Sequence, residues 1–249
     1  MIEVKDLKKG FGGDELVLKG ISTTFEKGKT NLIIGQSGSG KTVFLKCLLG
    51  LFRPTEGRIL YDGEAYSELS PENQRTLREQ MGMVFQGSAL FDSMTVEENI
   101  GLALSKLSDM NESEVAQQIS KSLAEVDMKN SEKLMPSSLS GGMKKRVGIA
   151  RAIAIKPKYL LYDEPTTGLD PVMTDSINRL ISKIHRQENV TSIMVTHELR
   201  TVFEVAERVI MIHNGKIKFD GTPVQIKQSE DKVVQQFISG NSTLLESEI

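Results

Sequence analysis

Apolar and polar positions alternate over residues 2–7 and again over 17–25, the period-two pattern of strands with one buried face, and residues 57–62 repeat it. Gly or Asp turns each of these segments. Residues 30–34, TNLII, are instead a short apolar run that stops at Gly35, after which residues 41–51 take up helical periodicity. The pattern therefore predicts strand, loop and helix, with an antiparallel flap beside this core. From residue 95 to 128 the period is helical throughout. Thr95 with Glu98, and Asn111 with Glu114, have capping-box spacing and mark two helix starts. In the second helix Val115, Ile119, Leu123 and Val126 form one apolar stripe, with Lys121 and Glu125 facing elsewhere. A third helix is predicted from Ser140 to about Ile155. Residues 159–163 and 192–196 are compact apolar runs of the fully buried, parallel-sheet kind, and residues 172–185 supply a crossover helix, which makes a βαβ unit. Residues 209–212 and 216–219 flank Asn214-Gly215, the pair suited to a type I′ hairpin turn. Residues 229–249 are polar, with Phe237 and Ile238 placed to anchor a short terminal helix.

Composition narrows the function. The chain has 249 residues, of which 39% are hydrophobic, enough for one large α/β core or two small ones. Lys and Arg number 31 against 33 Asp and Glu, a net charge of −2, so no bulk field draws nucleic acid or anionic lipid. No nucleic-acid partner is expected. The single cysteine, Cys47, cannot form an internal bridge, which points to a reducing compartment, with the cytoplasm as the default. MIEVKDLKKGF at the start is charged from its third residue and lacks the apolar stretch of a secretory signal. The apolar runs fall far short of the ~20 residues that span a bilayer. Work at a membrane would require docking onto something else.

The chemistry concentrates first in GQSGSGKT: Gly35, Gln36, Ser37, Gly38, Ser39, Gly40, Lys41 and Thr42 satisfy G-x-x-x-x-G-K-[ST] where a strand feeds a helix. Glycines let successive N–H groups turn inward onto phosphate oxygens, and the helix beginning there adds its positive end. Lys41 is placed to reach the β- and γ-phosphates and Thr42 to ligate Mg²⁺. A carboxylate for the metal is expected at the end of a neighbouring buried strand. Asp163 closes the run YLLY and Glu164 follows it, so one acid can serve Mg²⁺ while the other orients and deprotonates a water. LSGGM, residues 139–143, offers a second anion-binding helix start: Ser140 caps, and Gly141 and Gly142 expose N–H groups. A P-loop alone leaves kinases, GTPases and transport ATPases open.

LSGGM, DEPTTGLD (residues 163–170) and His197 in VTHE together resemble the ATP-binding cassette (ABC) family of nucleotide-binding domains, over essentially the whole chain and in family order. The fold that this implies is α/β, a P-loop NTPase (RecA-like) core with a mostly parallel sheet, an antiparallel β flap and an inserted α-helical subdomain. As one 249-residue domain it would divide into a nucleotide-binding core with flap (residues 1–86 and 157–228), a helical signature subdomain (87–156) and a tail (229–249). The resemblance implies ATP and Mg²⁺ as ligands, with Phe11 stacking on adenine where most relatives have Tyr; a Phe packed in the flap core is the other reading. It makes Gln86 a contact of metal and attacking water, Glu164 the base, and His197 a holder of the γ-phosphate. It also implies a head-to-tail homodimer, in which Ser140 and Gly142 of one copy meet the γ-phosphate held by the other and Asp170 sits at the seam. Met143 departs from the usual Gln of the signature and is expected to pack. Lys144, Lys145 and Arg146, against the helix dipole, read either as a sign of nearby anions or as a solvated face.

QGSALFDSMTVEEN, residues 86–99, with LSGGMKKRV and DEPTTGLDP, is similar to the ATPase subunit of MCE-associated phospholipid transporters. That resemblance implies an integral membrane permease and an MCE-type lipid-binding protein as partners, and a peripheral position on the cytoplasmic face of the inner membrane. Leu90, Phe91 and Met94 then become contacts for a permease helix, or else they pack the helical subdomain. The rival classes are a cassette ATPase on ribosomes or DNA, a regulatory ATP-binding module, and a transporter ATPase for another small solute.

Overall fold

A computed structural model of the chain describes every residue except Asp14, Ser108, Asp109 and residues 241–249. In chain order the elements are β1 (Ile2–Gly10), β2 (Leu16–Phe25), β3 (Thr30–Ile34), α1 (Lys41–Leu48), β4 (Glu56–Tyr61), β5 (Glu64–Ala65), α2 (Pro71–Glu79), β6 (Met81–Val84), α3 (Val96–Leu107) and α4 (Glu112–Glu125). They continue as α5 (Gly141–Ala154), β7 (Tyr159–Asp163), α6 (Pro171–Glu188), β8 (Thr191–Val195), α7 (Leu199–Val205), β9 (Arg208–His213), β10 (Lys216–Gly221), α8 (Pro223–Lys227) and α9 (Lys232–Ser239). The chain forms two compact units. One holds Met1–Pro71 with the described residues from Ile193 on; the other is Glu72–Ser192.

In the first unit the expected flap is an antiparallel sheet of order β2-β1-β4-β5. Ile2 stands opposite Phe25 on one side and Tyr61 on the other, and the alternation buries Ile2 and Val4; a break in register with Asp6 at φ 46° interrupts the alternation before Leu7, which is buried as well. β3 pairs in parallel with β9, from Asn31 opposite Arg208 to Ile34 opposite Met211, and the last residues of β8 run on its other side. All five residues of β3 are buried, as the continuous run of a parallel strand requires. Leu32, Ile33 and Ile34 are fully enclosed, each worth about 1.5–3 kcal/mol of burial. β10 returns antiparallel on β9 through Asn214 (φ 49°) and Gly215 (φ 77°), the two left-handed residues of a type I′ turn. α9 covers Phe237 and Ile238, the short terminal helix expected there.

In the second unit β6 and β7 pair in parallel, Met81 opposite Tyr159 through Val84 opposite Tyr162, and α6 is the crossover that leads from β7 into β8. Both capping boxes form. Thr95 and Glu98 exchange side chain to backbone bonds at 2.7 and 3.3 Å, and Asn111 and Glu114 do so at 2.8 and 3.1 Å. Ile119, Leu123 and Val126 are buried, while Val115, at the stripe's start, lines an open groove with Met110 and Ala116. α2 has no counterpart in the apolar pattern, because none of its residues is buried. No helix among the described residues is long and apolar enough to cross a membrane.

Candidate functional site

The first unit carries the phosphate cradle. β3 ends at Gly35 (φ 148°), and a Cβ there would collide with the Ile212 carbonyl, so the strand can exit only through glycine. The loop closes on Gly40 (φ 103°), which caps α1 in a left-handed conformation with no side-chain bond, at a helix start of the kind that receives phosphate. Lys41 is buried, and its Nζ donates to the carbonyls of Gly35 (2.8 Å) and Gln36 (2.9 Å), closing the loop over itself. Ser39 Oγ is buried and makes no hydrogen bond among the described residues. An orphaned hydroxyl inside a ring of inward-facing backbone suits a phosphate oxygen. Gln36, Ser37, Gly38 and Thr42 stay exposed around it. Phe11 is 58% exposed; Phe52 lies in an edge-to-face arrangement with it at 5.1 Å, and Lys9 Nζ sits over its ring, 4.9 Å from the centre. It is not a core residue of the flap. His197 lies just beyond β8, exposed, on a stretch pinned by Thr196, whose N–H bonds Ile33 O and whose hydroxyl accepts from Glu198 N.

The second unit carries the acids. β7 delivers Asp163 at its end, and Glu164 follows with φ 48°, a left-handed conformation that L side chains rarely adopt. Its Oε2 accepts from Thr167 Oγ1 at 2.8 Å and stands 3.5 Å from Gln86 Nε2, so the structure brings Gln86 to Glu164. Beyond Gln86 the backbone is left-handed again at Ser88 (φ 62°) and Ala89 (φ 46°), where Arg151 of α5 donates to both carbonyls. Burial lowers the pKa of this guanidinium from its ordinary value. Ser140 caps α5, its Oγ accepting from Met143 N at 3.3 Å. Gly141 is exposed and Gly142 lies against Met173. Met143 is half-buried, in keeping with packing.

The solvated-face reading of the basic run 144–146 fails for its last two residues. Lys145 is buried with Nζ on the carbonyls of Gln86 (2.5 Å) and Glu164 (3.5 Å), and Arg146 binds Val126 O, Asp127 and Ser176 Oγ. The charges are spent inside the unit, where three carbonyl oxygens and one hydroxyl take their donors. Asp170 does more than its motif suggests: its Oδ1 accepts from Val172 N and Met173 N, both at 2.9 Å, making it the N-cap of α6. An Asp-Pro pair before a helical run was the sequence signal for that cap. Buried Asn99, in the first turn of α3, bonds the backbone of Phe91, Met94 and Thr95 and so frames the loop between Gln86 and α3, on which Phe91 is 50% exposed.

Comparison with known proteins agrees with this chemistry. Residues 18–167 match the ABC transporter family. The chain is 37% identical, over 97% of its own length and 91% of the relative's, to the intermembrane phospholipid transport system ATP-binding protein MlaF of Haemophilus influenzae. It is 41% identical, over 89% of its length and 60% of the relative's, to the methionine import ATP-binding protein MetN of Rhizobium johnstonii. Its fold superposes with a TM-score of 0.81 at 29% identity on the ATP-binding cassette MJ0796, solved as a dimer in a post-hydrolysis state with ADP and Pi; the match covers 90% of this chain and 99% of that one. The chain belongs to the ABC transporter family and is an ATPase that uses ATP and Mg²⁺.

Proposed function

We propose that this chain powers phospholipid transfer between membranes by hydrolysing ATP as one half of a head-to-tail homodimer bound to a membrane permease and an MCE-type lipid-binding protein. Hydrolysis rests on one observation above all: the Glu164 carboxylate, at the end of a buried strand, is held by Thr167 and faced by Gln86. In the first unit residues 35–42 take the triphosphate, Phe11 the adenine and His197 the γ-phosphate. Lys41 exchanges the carbonyls of Gly35 and Gln36 for phosphate oxygens. In the second unit Glu164 removes the proton of the attacking water, Gln86 holds that water's other side, and Ser140, Gly141 and Gly142 serve the γ-phosphate of the partner copy, with Asp170 at the seam. Thr42, Asp163 and Gln86 supply oxygen donors of the kind a hard cation takes and are the side chains assigned to Mg²⁺, which when bound neutralises charge on the phosphates.

Lipid as cargo is supported by the likeness to MlaF along nearly the whole of both chains, and the Asn99-framed loop bearing Leu90, Phe91 and Met94 is the surface offered to the permease. That reading places the chain peripherally on the cytoplasmic face of the inner membrane. The likeness to MetN supports a small solute as the second reading. Co-purification from native membranes separates the two: a permease with an MCE protein supports lipid, and a permease with a solute-binding protein overturns it. For the chemistry, Glu164→Gln should bind ATP and dimerise without turnover; near-normal phosphate release would remove Glu164 as the base.

A further inference from the structure

α5 does more than present the signature at its first turn. Lys145 and Arg151 stand on it a little under two turns apart, and both reach the segment that follows β6. Arg151 secures the carbonyls of Ser88 and Ala89 at 2.8 and 2.7 Å, the two consecutive left-handed residues of that segment. Lys145, 6% exposed, secures the carbonyl of Gln86 at 2.5 Å and reaches that of Glu164 at 3.5 Å. An ammonium has three donors in a compact tetrahedral head, so it can hold two backbone carbonyls from different strand ends at once. Both of those carbonyls belong to residues whose side chains face each other, Gln86 Nε2 to Glu164 Oε2. Glu164 also sits in a conformation that needs outside support, with φ 48°.

We propose that Lys145 is a positioning residue for hydrolysis. It fixes the backbone of Gln86 and Glu164 relative to each other, so that the base and the water-holding amide keep one geometry, and it ties that geometry to the helix whose first turn carries Ser140. The proposal rests on the assignment of Glu164 and Gln86 to the hydrolytic water. Lys145 touches no reacting atom; it acts through the two backbones it bridges. Misplacing a base by about 1 Å is enough to lower turnover on the order of a hundredfold.

The test is steady-state ATPase and fluorescent-nucleotide binding on the purified full-length chain, for Lys145→Met, Lys145→Gln and Lys145→Arg, alone and with Gln86→Ala. Lys145→Met should lower kcat by about 10- to 100-fold while KM and nucleotide affinity stay within about twofold, because the cradle is in the other unit. Lys145→Arg, which keeps charge and donors, should recover part of the loss. In the Gln86→Ala background the same substitution should cost less than about threefold, since the relationship it protects is already gone. Should Lys145→Met fail to fold by circular dichroism, Lys145→Gln reads the same quantities. A kcat within twofold of the parent, a loss carried by KM, or losses that multiply in the double variant would each overturn the proposal. A Glu164→Gln chain with normal turnover would instead overturn the assignment on which it rests.

Discussion

Removing the carboxylate of Asp170 should destabilise α6 by an amount that can be worked from its two bonds. The helix runs for 18 residues from Pro171, which lacks an N–H, so the next donors at its start are those of Val172 and Met173, and Asp170 Oδ1 takes both at 2.9 Å. Loss of an N-cap costs about 1 kcal/mol, with a range of about 0.5–2. Loss of a negative charge at a helix start adds about 0.3–1 kcal/mol. In a chain of this size each kcal/mol shifts the melting temperature by about 2–4 °C. Asp170→Ala should therefore melt about 3–8 °C below the parent in nucleotide-free dilute protein, where a role at a dimer seam makes no contribution. Asp170→Ser keeps an acceptor without the charge and should lose only the smaller share. Differential scanning calorimetry on the three proteins decides it. An Asp170→Ala melt within 1 °C of the parent, or a Ser variant as unstable as the Ala variant, would refute the capping argument.

Two other outcomes follow from the first unit. Phe11→Ala should weaken ATP binding by about 1–3 kcal/mol, the scale of base stacking on an aromatic face, while Phe11→Tyr leaves it within about twofold, as measured by titration calorimetry. Cys47 is 1% exposed on α1, and burial pushes its thiol up to about 11 from an ordinary 9.0. The unfolded chain thus gives up this proton first, so its contribution to stability is intact below pH 9 and is lost as pH rises toward 11. Native protein at pH 8 should react with a disulfide reagent only at its unfolding rate, and fast labelling without unfolding would contradict that burial.

The parts of the site that could be read from sequence are those in which backbone conformation demands a residue type. Gly35 and Gly40 must be glycine because of a carbonyl clash and a left-handed cap, and Asn214-Gly215 because both residues need positive φ. The capping boxes at Thr95 and Asn111 were legible for a related reason: short-range bonds leave a fixed spacing. What stayed hidden depends on tertiary contact. Lys145 and Arg146 look like solvated charges until the carbonyls they satisfy are in place, and α2 has no apolar stripe to announce it. The left-handed φ of Glu164, Ser88 and Ala89 is equally silent, because the non-glycine residues there are held by α5 and Thr167 rather than favoured locally. The periodicity of α5 did hold the clue: Gly142, Lys145 and Ile149 share its buried face, so a lysine stood at a core position.

The central claim is that each chain carries only half of a hydrolytic site and that a second copy completes it. Mixing Glu164→Gln chains, which keep Ser140, with Ser140→Arg chains, which keep Glu164, tests it most directly. Each variant alone should be nearly inactive, and the mixture should recover ATPase activity up to about a quarter of the parent rate, since half of the dimers are mixed and each restores one of two sites. A mixture no more active than the sum of its parts, or a Ser140→Arg chain that hydrolyses at the parent rate by itself, would contradict the account.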